Sequence, residues 1–110
     1  MDREQIIESA LENVRNGYKE ITGTLFFGDF NLAPQNLVCV FICPTDEALN
    51  ELKSKFTEIA KMCKEELIKG GYEEDAFNKN ADGKTVMFDF ASAETCQQQF
   101  NGNWFEYYKR

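Results

Sequence analysis

The run LVCVFI, residues 37 to 42, decides the fold of this chain. An unbroken apolar run without polar alternation is typical of a central strand that is covered on both faces, or nearly so. The preceding stretch NLAPQN, residues 31 to 36, has turn chemistry around Pro34. Pro44 and Thr45 follow the run, and they end the strand and open a helix. The sequence therefore predicts a buried strand between a turn and a helix start.

A second strand is predicted just upstream. The stretch ITGTLFFGDF, residues 21 to 30, is rich in β-branched and aromatic residues. Because only the short turn at residues 31 to 36 separates it from the apolar run, we expect the two strands to form an antiparallel hairpin.

Two long helices are predicted around this hairpin. Residues 2 to 16 have helical apolar spacing, with Asp2 and Gln5 in a capping-box relation. The second helix begins at Thr45, a natural N-cap, and ends at Gly70-Gly71. Its apolar stripe recurs at steps of three or four and comprises Leu49, Leu52, Phe56, Ile59, Cys63 and Leu67.

The C-terminal half is predicted to add three more strands and a short helix. Residues 71 to 79 form the weakest strand pattern, whereas residues 85 to 90 alternate clearly, with Phe88 and Phe90 on one side. Residues 92 to 100 suit a short helix capped by Ser92, and WFEYY, residues 104 to 108, suits a final strand.

The predicted element order is α-β-β-α-β-β-α-β. Hairpins separated by helices favour an α+β fold. We expect a single domain spanning residues 1–110, built as a two-layer sandwich. Its sheet would be mainly antiparallel, with about five strands and with helices on one face.

The charge balance limits the kinds of partner. The chain carries 19 acidic and 12 basic residues, a net charge of −7. Such a surface repels nucleic-acid backbones and anionic membranes, so we expect neither as a partner. Such a surface attracts basic proteins. Solubility alone, without any partner, also explains the same net charge.

A cytoplasmic location is expected from the N-terminus and the cysteines. Charges start at Asp2, and no apolar segment typical of a signal peptide follows. No stretch approaches the 18 apolar residues of a membrane span. The cysteines lie in strand or helix patterns, which favours free thiols in a reducing compartment; they are Cys39, Cys43, Cys63 and Cys96.

Few residues could carry catalysis. The sequence has no histidine, so Ser-His and Cys-His nucleophile pairs are excluded. Cys43 precedes a helix start that could lower its pKa, but no partner base accompanies it. Only Cys39 and Cys43 are spaced like zinc ligands. We therefore expect no enzyme activity, no cofactor and no metal.

Two stretches resemble parts of the RNA-recognition motif family: TLFFGDFN, residues 24 to 31, and GKTVMFDFASAETCQQQFNG, residues 83 to 102. The family's central motif requires Lys/Arg-Gly-Phe/Tyr-Gly/Ala-Phe. Here Thr85, Val86 and Met87 replace the glycine and aromatic positions, and an acidic residue lies two positions later. We interpret the likeness as convergent strand–helix patterning and expect no RNA binding.

Acidic residues beside aromatic ones indicate a surface that binds a protein. Tyrosine and tryptophan are enriched at interface hot spots because they combine a large apolar area with a polar tip. If helices cover one face of the sheet, part of the aromatic C-terminal strand faces outward. The predicted partner-binding residues are Tyr72, Glu73, Glu74, Asp75, Trp104, Glu106 and Tyr108.

The sequence favours a non-enzymatic, acidic protein-binding module. Its most concrete form is an immunity or inhibitor protein that neutralises a basic toxin or nuclease, an analogy from size, charge and lack of catalytic groups. One alternative is a small-molecule-binding or enzymatic domain with a pocket between helix and sheet. Another is a self-associating scaffold, a homodimer that pairs through the C-terminal strand.

Overall fold

A computed structural model describes residues 2–109, which adopt an α+β fold. Three strands form one sheet in the order β1-β2-β3, namely β1 (Gly23–Phe27), β2 (Val38–Cys43) and β3 (Met87–Ser92). The α-helices are α1 (Arg3–Arg15), α2 (Asp46–Leu52), α3 (Phe56–Gly70), α4 (Ala93–Phe100) and α5 (Trp104–Lys109). Short 3₁₀ turns lie at Pro34–Asn36, Lys53–Lys55 and Glu74–Phe77.

The apolar run forms the central strand, as predicted. β1 pairs antiparallel with β2, which confirms the hairpin, but β3 pairs parallel with β2. The sheet of residues 2–109 thus has three strands rather than about five, and one of its two pairings is parallel. The parallel pairing arises because the connection from β2 to β3 contains helices, and such a crossover returns the chain in the same direction.

β2 divides the interior into two cores. Its residues Cys39 and Phe41 pack with buried side chains of α1 and α3 on the first face of the sheet. Val40 and Ile42 point to the second face, where they join Ala91 and are partly covered by α5. Helices therefore lie on both faces, which corrects the predicted two-layer arrangement with helices on one face.

The C-terminal segment is a helix, not the predicted strand. Residues Trp104, Tyr107 and Tyr108 stand at positions i, i+3 and i+4, so one helical face carries all three rings onto the second core. The Asn103 side chain accepts a hydrogen bond from the Glu106 amide (3.1 Å) and fixes the helix start. Closely spaced aromatic residues are compatible with a strand and with a helix. The helix is favoured because it places all three rings on the second face of the sheet, which would otherwise be exposed.

Residues 71 to 79 do not form the predicted strand. Gly71, at φ 110°, ends α3 in the left-handed region. The chain then makes the turn Glu74–Phe77, in which the Ala76 amide donates to the Glu73 carbonyl (3.1 Å). Consecutive acidic residues have low strand propensity, which explains the turn.

The long helix predicted from Thr45 to Gly70 is interrupted by the turn Lys53–Lys55. A straight helix over residues 46 to 70 would be about 37 Å long. That is as long as the largest dimension of the molecule, 36 Å. The interruption lets α2 contact the sheet and α4 while α3 packs along α1.

The helix caps that were predicted from a capping side chain are confirmed. Asp2 accepts from the Gln5 amide in a capping box, and Thr45 accepts from the Ala48 amide. Ser92 caps α4 in the same way. Caps depend on local sequence alone, which is why sequence analysis identifies them reliably.

Gly28 gives a direct test of the hairpin geometry. It adopts φ +108°, and a Cβ atom there would lie 1.9 Å from the Asn36 carbonyl oxygen. Gly83 also has a positive φ, +75°, but a Cβ there would meet nothing within 4 Å. Gly83→Ala is therefore expected to cost about 1–2 kcal/mol of backbone strain. Gly28→Ala should lower the free energy of unfolding further, because it adds a clash to that strain.

Urea denaturation of both alanine variants and the wild type measures the difference. Equal losses for Gly28→Ala and Gly83→Ala would show that the close approach of Gly28 to Asn36 is absent.

Candidate functional site

The acidic segment predicted to bind a partner is partly used inside the fold. Tyr72 is buried, and its hydroxyl donates to the Pro34 carbonyl (2.6 Å). Glu73 forms an ion pair with Arg3 (Oε2 to Nη2, 2.9 Å). Of the four predicted residues, only Glu74 and Asp75 are exposed. Tyr72 thus supports the first core and offers no surface to a partner.

The C-terminal residues of the predicted surface lie on the other side of the sheet. Trp104 and Tyr108 are half-buried against the second core, whereas Glu106 is exposed. Because Tyr72 belongs to the first core, the structure does not bring the two halves of the predicted surface together. The C-terminal half is the one that forms a groove.

This aromatic groove lies between α5 and β1 and has a volume of about 300 Å³. Phe105 is 73% exposed and Phe27 is 37% exposed. The Phe27 ring centroid is 5.0 Å from that of Tyr108. Sequence reasoning missed Phe27 and Phe105 as site residues. The groove is lined by Leu25, Phe27, Trp104, Phe105, Tyr108 and Lys109.

Tyr108 anchors the wall of the aromatic groove to the sheet. Its hydroxyl donates a 2.7 Å hydrogen bond to the Asp89 carboxylate, which lies on the second face of β3. Burial raises the pKa of Tyr108 and the hydrogen bond to Asp89 raises it further. The hydroxyl therefore keeps its proton at neutral pH and holds α5 in place.

Apolar surface continues from the groove across the end of the sheet. Phe27, Val38 and Met87 are aligned partners on three neighbouring strands. Met87 is 59% exposed. Val38, between Phe27 and Met87, is half-buried against the second core. Exposed apolar side chains beside an aromatic groove are typical of an interaction surface.

A second, acidic groove lies on the other side of β1. It runs between α1 and β1 with a volume of about 460 Å³. Glu8 and Glu12 are exposed at its wall, and Glu12 also pairs with Arg15 (3.1 Å). These glutamates lie on the exposed face of α1, where charged residues are common, so no sequence signal distinguishes them. Thr24, Leu25 and Phe26 form the strand side of this acidic groove.

The four cysteines are free and buried, consistent with the prediction of free thiols. Burial raises the pKa of Cys43, and nearby Glu20 raises it further. Cys39 has a raised pKa because its thiol is hydrogen-bonded to Cys63 and buried. Their raised pKa values keep the Cys39 and Cys43 thiols protonated and therefore weakly nucleophilic. Within residues 2–109, no group of three His, Cys, Asp or Glu side chains is placed to hold a metal ion.

The starts of α2 and α4 are occupied by side chains of the chain itself. Thr95 Oγ1 donates to Asp46 Oδ1 (2.6 Å), and the Asp46 amide donates to Glu94 Oε1 (2.9 Å). Hydrogen bonds from Ser92 and Thr95 lower the pKa of Asp46. The Glu94 carboxylate and the Thr45 and Ser92 hydroxyls thus accept from helix amides that an external anion would otherwise use.

Comparison with known proteins gives no relative. No protein-family model, no curated protein and no solved structure matches the chain. In addition, the three-stranded sheet with one parallel pairing differs from the four-stranded sheet of the RNA-recognition motif. Over residues 2–109, no helix combines the length and apolar character needed to cross a membrane.

Tyr108→Phe tests how α5 is held on the sheet. The variant removes the hydroxyl and leaves the part-buried Asp89 carboxylate without this donor. We expect a loss of about 1–3 kcal/mol in the free energy of unfolding at pH 7. Phe105→Ala, on the exposed side of α5, should stay within about 0.5 kcal/mol of the wild type.

The same variant has a predicted pH dependence. A tyrosine whose folded pKa is raised stabilises the fold fully below its unfolded value of about 10 and loses this contribution as pH rises above it. Wild-type stability should therefore fall above pH 10, and it should fall less steeply in Tyr108→Phe. Tyr18, with its pKa raised to about 12 by its hydrogen bond to Glu58, maintains a slope in both proteins. Identical slopes from urea titrations at pH 8 to 11 would contradict the part-buried Tyr108–Asp89 hydrogen bond.

Proposed function

We propose that this protein is a non-enzymatic, acidic protein-binding module whose partner is basic. The observation that carries the proposal is the aromatic groove beside β1, with Phe27 and Phe105 exposed in a chain of net charge −7. Large aromatic side chains that remain exposed beside a groove are typical anchors of protein interfaces.

The shape of the aromatic groove favours a protein side chain over a metabolite. Its volume of about 300 Å³ is at the lower limit of small-molecule pockets, about 300–1,000 Å³. Lys109 is the one charged residue of its lining, and the remaining lining residues are apolar or aromatic. A small-molecule site would need several polar groups that converge on the ligand. One or two apolar side chains of a partner fit the groove without them.

Charge sets the class of that partner. The acidic groove presents Glu8 and Glu12 next to the same strand that lines the aromatic groove. A partner that covers both grooves meets carboxylates on one side and aromatic rings on the other. These carboxylates would attract basic residues of the partner during association and would repel acidic proteins.

The specific role we propose is that of an immunity or inhibitor protein for a basic toxin or nuclease. Such a role requires a small, acidic chain that binds tightly without chemistry of its own, and the absence of histidine supports the lack of chemistry. We also propose a cytoplasmic location, which the reduced and buried thiols support.

A ligand-binding or enzymatic domain is the second candidate, because the aromatic groove does lie between a helix and the sheet. The scaffold that pairs through a C-terminal strand has lost its structural basis. Residues 104 to 109 form a helix, and a helix has no strand edge to offer.

A selection from a displayed library of random protein fragments tests the proposal. We expect the binders to be enriched in basic residues, and their affinity to fall steeply between 50 and 300 mM salt because the interface is charged. Binding should fall at least tenfold for Phe105→Ser, whose exposed side chain contributes to the interface but not to the core.

Met62→Ser is the matched control, because Met62 is a partly exposed apolar residue on α3, away from the aromatic groove. Binders that are not enriched in basic residues, or whose affinity is unchanged by Phe105→Ser, would contradict the proposed function. Selective binding of a small hydrophobic compound in place of fragments would favour the second candidate.

A further inference from the structure

We propose that the partner docks on the free edge of β1 as an added strand, with basic and apolar residues in alternation. This inference rests on the proposed function and specifies the partner's binding segment. It uses the two grooves on either side of β1, and it assigns each of them to one set of alternating side chains.

The outer edge of β1 is open to pairing. β1 is the first strand of the sheet order, and within residues 2–109 no strand lies beyond it. Alternate residues of an edge strand direct their amide and carbonyl groups away from the sheet. Proteins usually protect such edges with charged residues, proline or a bulge. The strand sequence GTLFF contains no charged residue and no proline.

The alternation of β1 separates two chemical environments. Leu25 faces the second core, and with Phe27 it lines the aromatic groove, although at the strand edge it also borders the acidic groove. Phe26 packs on the first core and, with Thr24, borders the acidic groove of Glu8 and Glu12. The side chains of β1 therefore point alternately toward the aromatic side and the acidic side, because successive side chains of a strand lie on opposite faces of the sheet.

An added strand would follow the same alternation. Side chains directly opposite one another on neighbouring strands share a face, with Cβ atoms about 4.5–5.5 Å apart. Residues opposite Leu25 and Phe27 would enter the aromatic groove, so apolar side chains fit there. Residues opposite Thr24 and Phe26 would lie near Glu8 and Glu12, so lysine or arginine fits there.

Charge distinguishes this occupant from a second copy of the chain. Pairing of two β1 edges would place the glutamates of both copies near the same junction, where like charges repel. The strand GTLFF also offers no basic residue to either acidic groove. Lys109 at the aromatic groove disfavours a basic residue on that side. Charge therefore determines which alternate set of side chains in a basic and apolar segment faces each groove.

The probe is a synthetic nine-residue peptide in which arginine alternates with leucine or phenylalanine. Isothermal titration calorimetry at 50 mM salt measures its dissociation constant. We expect binding at a single site, and at least tenfold weaker binding of a peptide with the same composition in two blocks, because blocks cannot satisfy both grooves.

Backbone methylation tests strand pairing itself. Methyl groups on the amides of one alternate set block pairing with β1, whereas methyl groups on the other set face away from it. We expect one methylated peptide to lose binding and the other to keep it. Equal affinity of the two methylated peptides would overturn the inference.

Acidic variants test the charge assignment. Glu8→Gln with Glu12→Gln should weaken peptide binding at least fivefold and reduce its salt dependence. The control is Glu51→Gln with Glu65→Gln, two exposed residues on α2 and α3 that should leave affinity unchanged. Equal effects of the two pairs would contradict a role for the acidic groove.

The two proposals fail in different ways. If displayed fragments bind through Phe105 but the alternating peptide neither binds nor competes, edge pairing is wrong and the proposed function stands. If neither binds, both are wrong. If the alternating peptide competes with the fragments, both are supported.

Discussion

The fold depends on the burial of both faces of β2. Its side chains alternate between two cores, and Cys39, Val40 and Phe41 are all fully buried. A strand covered in this way needs neighbours on both edges and a layer on each face. α1 and α3 supply the larger layer, and α5 supplies the smaller one. The C-terminal helix therefore serves as the cover of the second core.

Structural features that depend on neighbouring residues could be predicted from the sequence. Features that depend on packing between distant elements could not. The apolar run, the hairpin and the caps at Asp2, Thr45 and Ser92 follow from neighbouring residues, and each was predicted. The aromatic rings of residues 104 to 108 fit the periodicity of a helix and that of a strand. Which of the two forms depends on how these rings cover the second face of the sheet. The parallel pairing of β3 and the interruption of the long helix also depend on how distant elements pack.

The candidate site shows the same division. Trp104 and Tyr108 were predicted from their chemistry, but Phe27 and Glu8 enter the site only because the sheet brings β1 between α1 and α5. Tyr72 was wrongly placed at a surface, because a tyrosine next to three acidic residues gives no sign that its ring is buried. A charged partner is predicted from composition alone, whereas the position of acidic and aromatic side chains on either side of β1 is a result of the fold.

The packing of α5 on the second core is the claim from which the aromatic groove and both proposals follow. Nuclear Overhauser spectroscopy of the isotopically labelled protein tests it most directly. The structure predicts helical Cα shifts over residues 104 to 109 and contacts from the Trp104 ring to methyl groups of the second core, namely those of Val40, Ile42 or Ala91. Extended Cα shifts, with a Trp104 ring that contacts none of these residues, would contradict it.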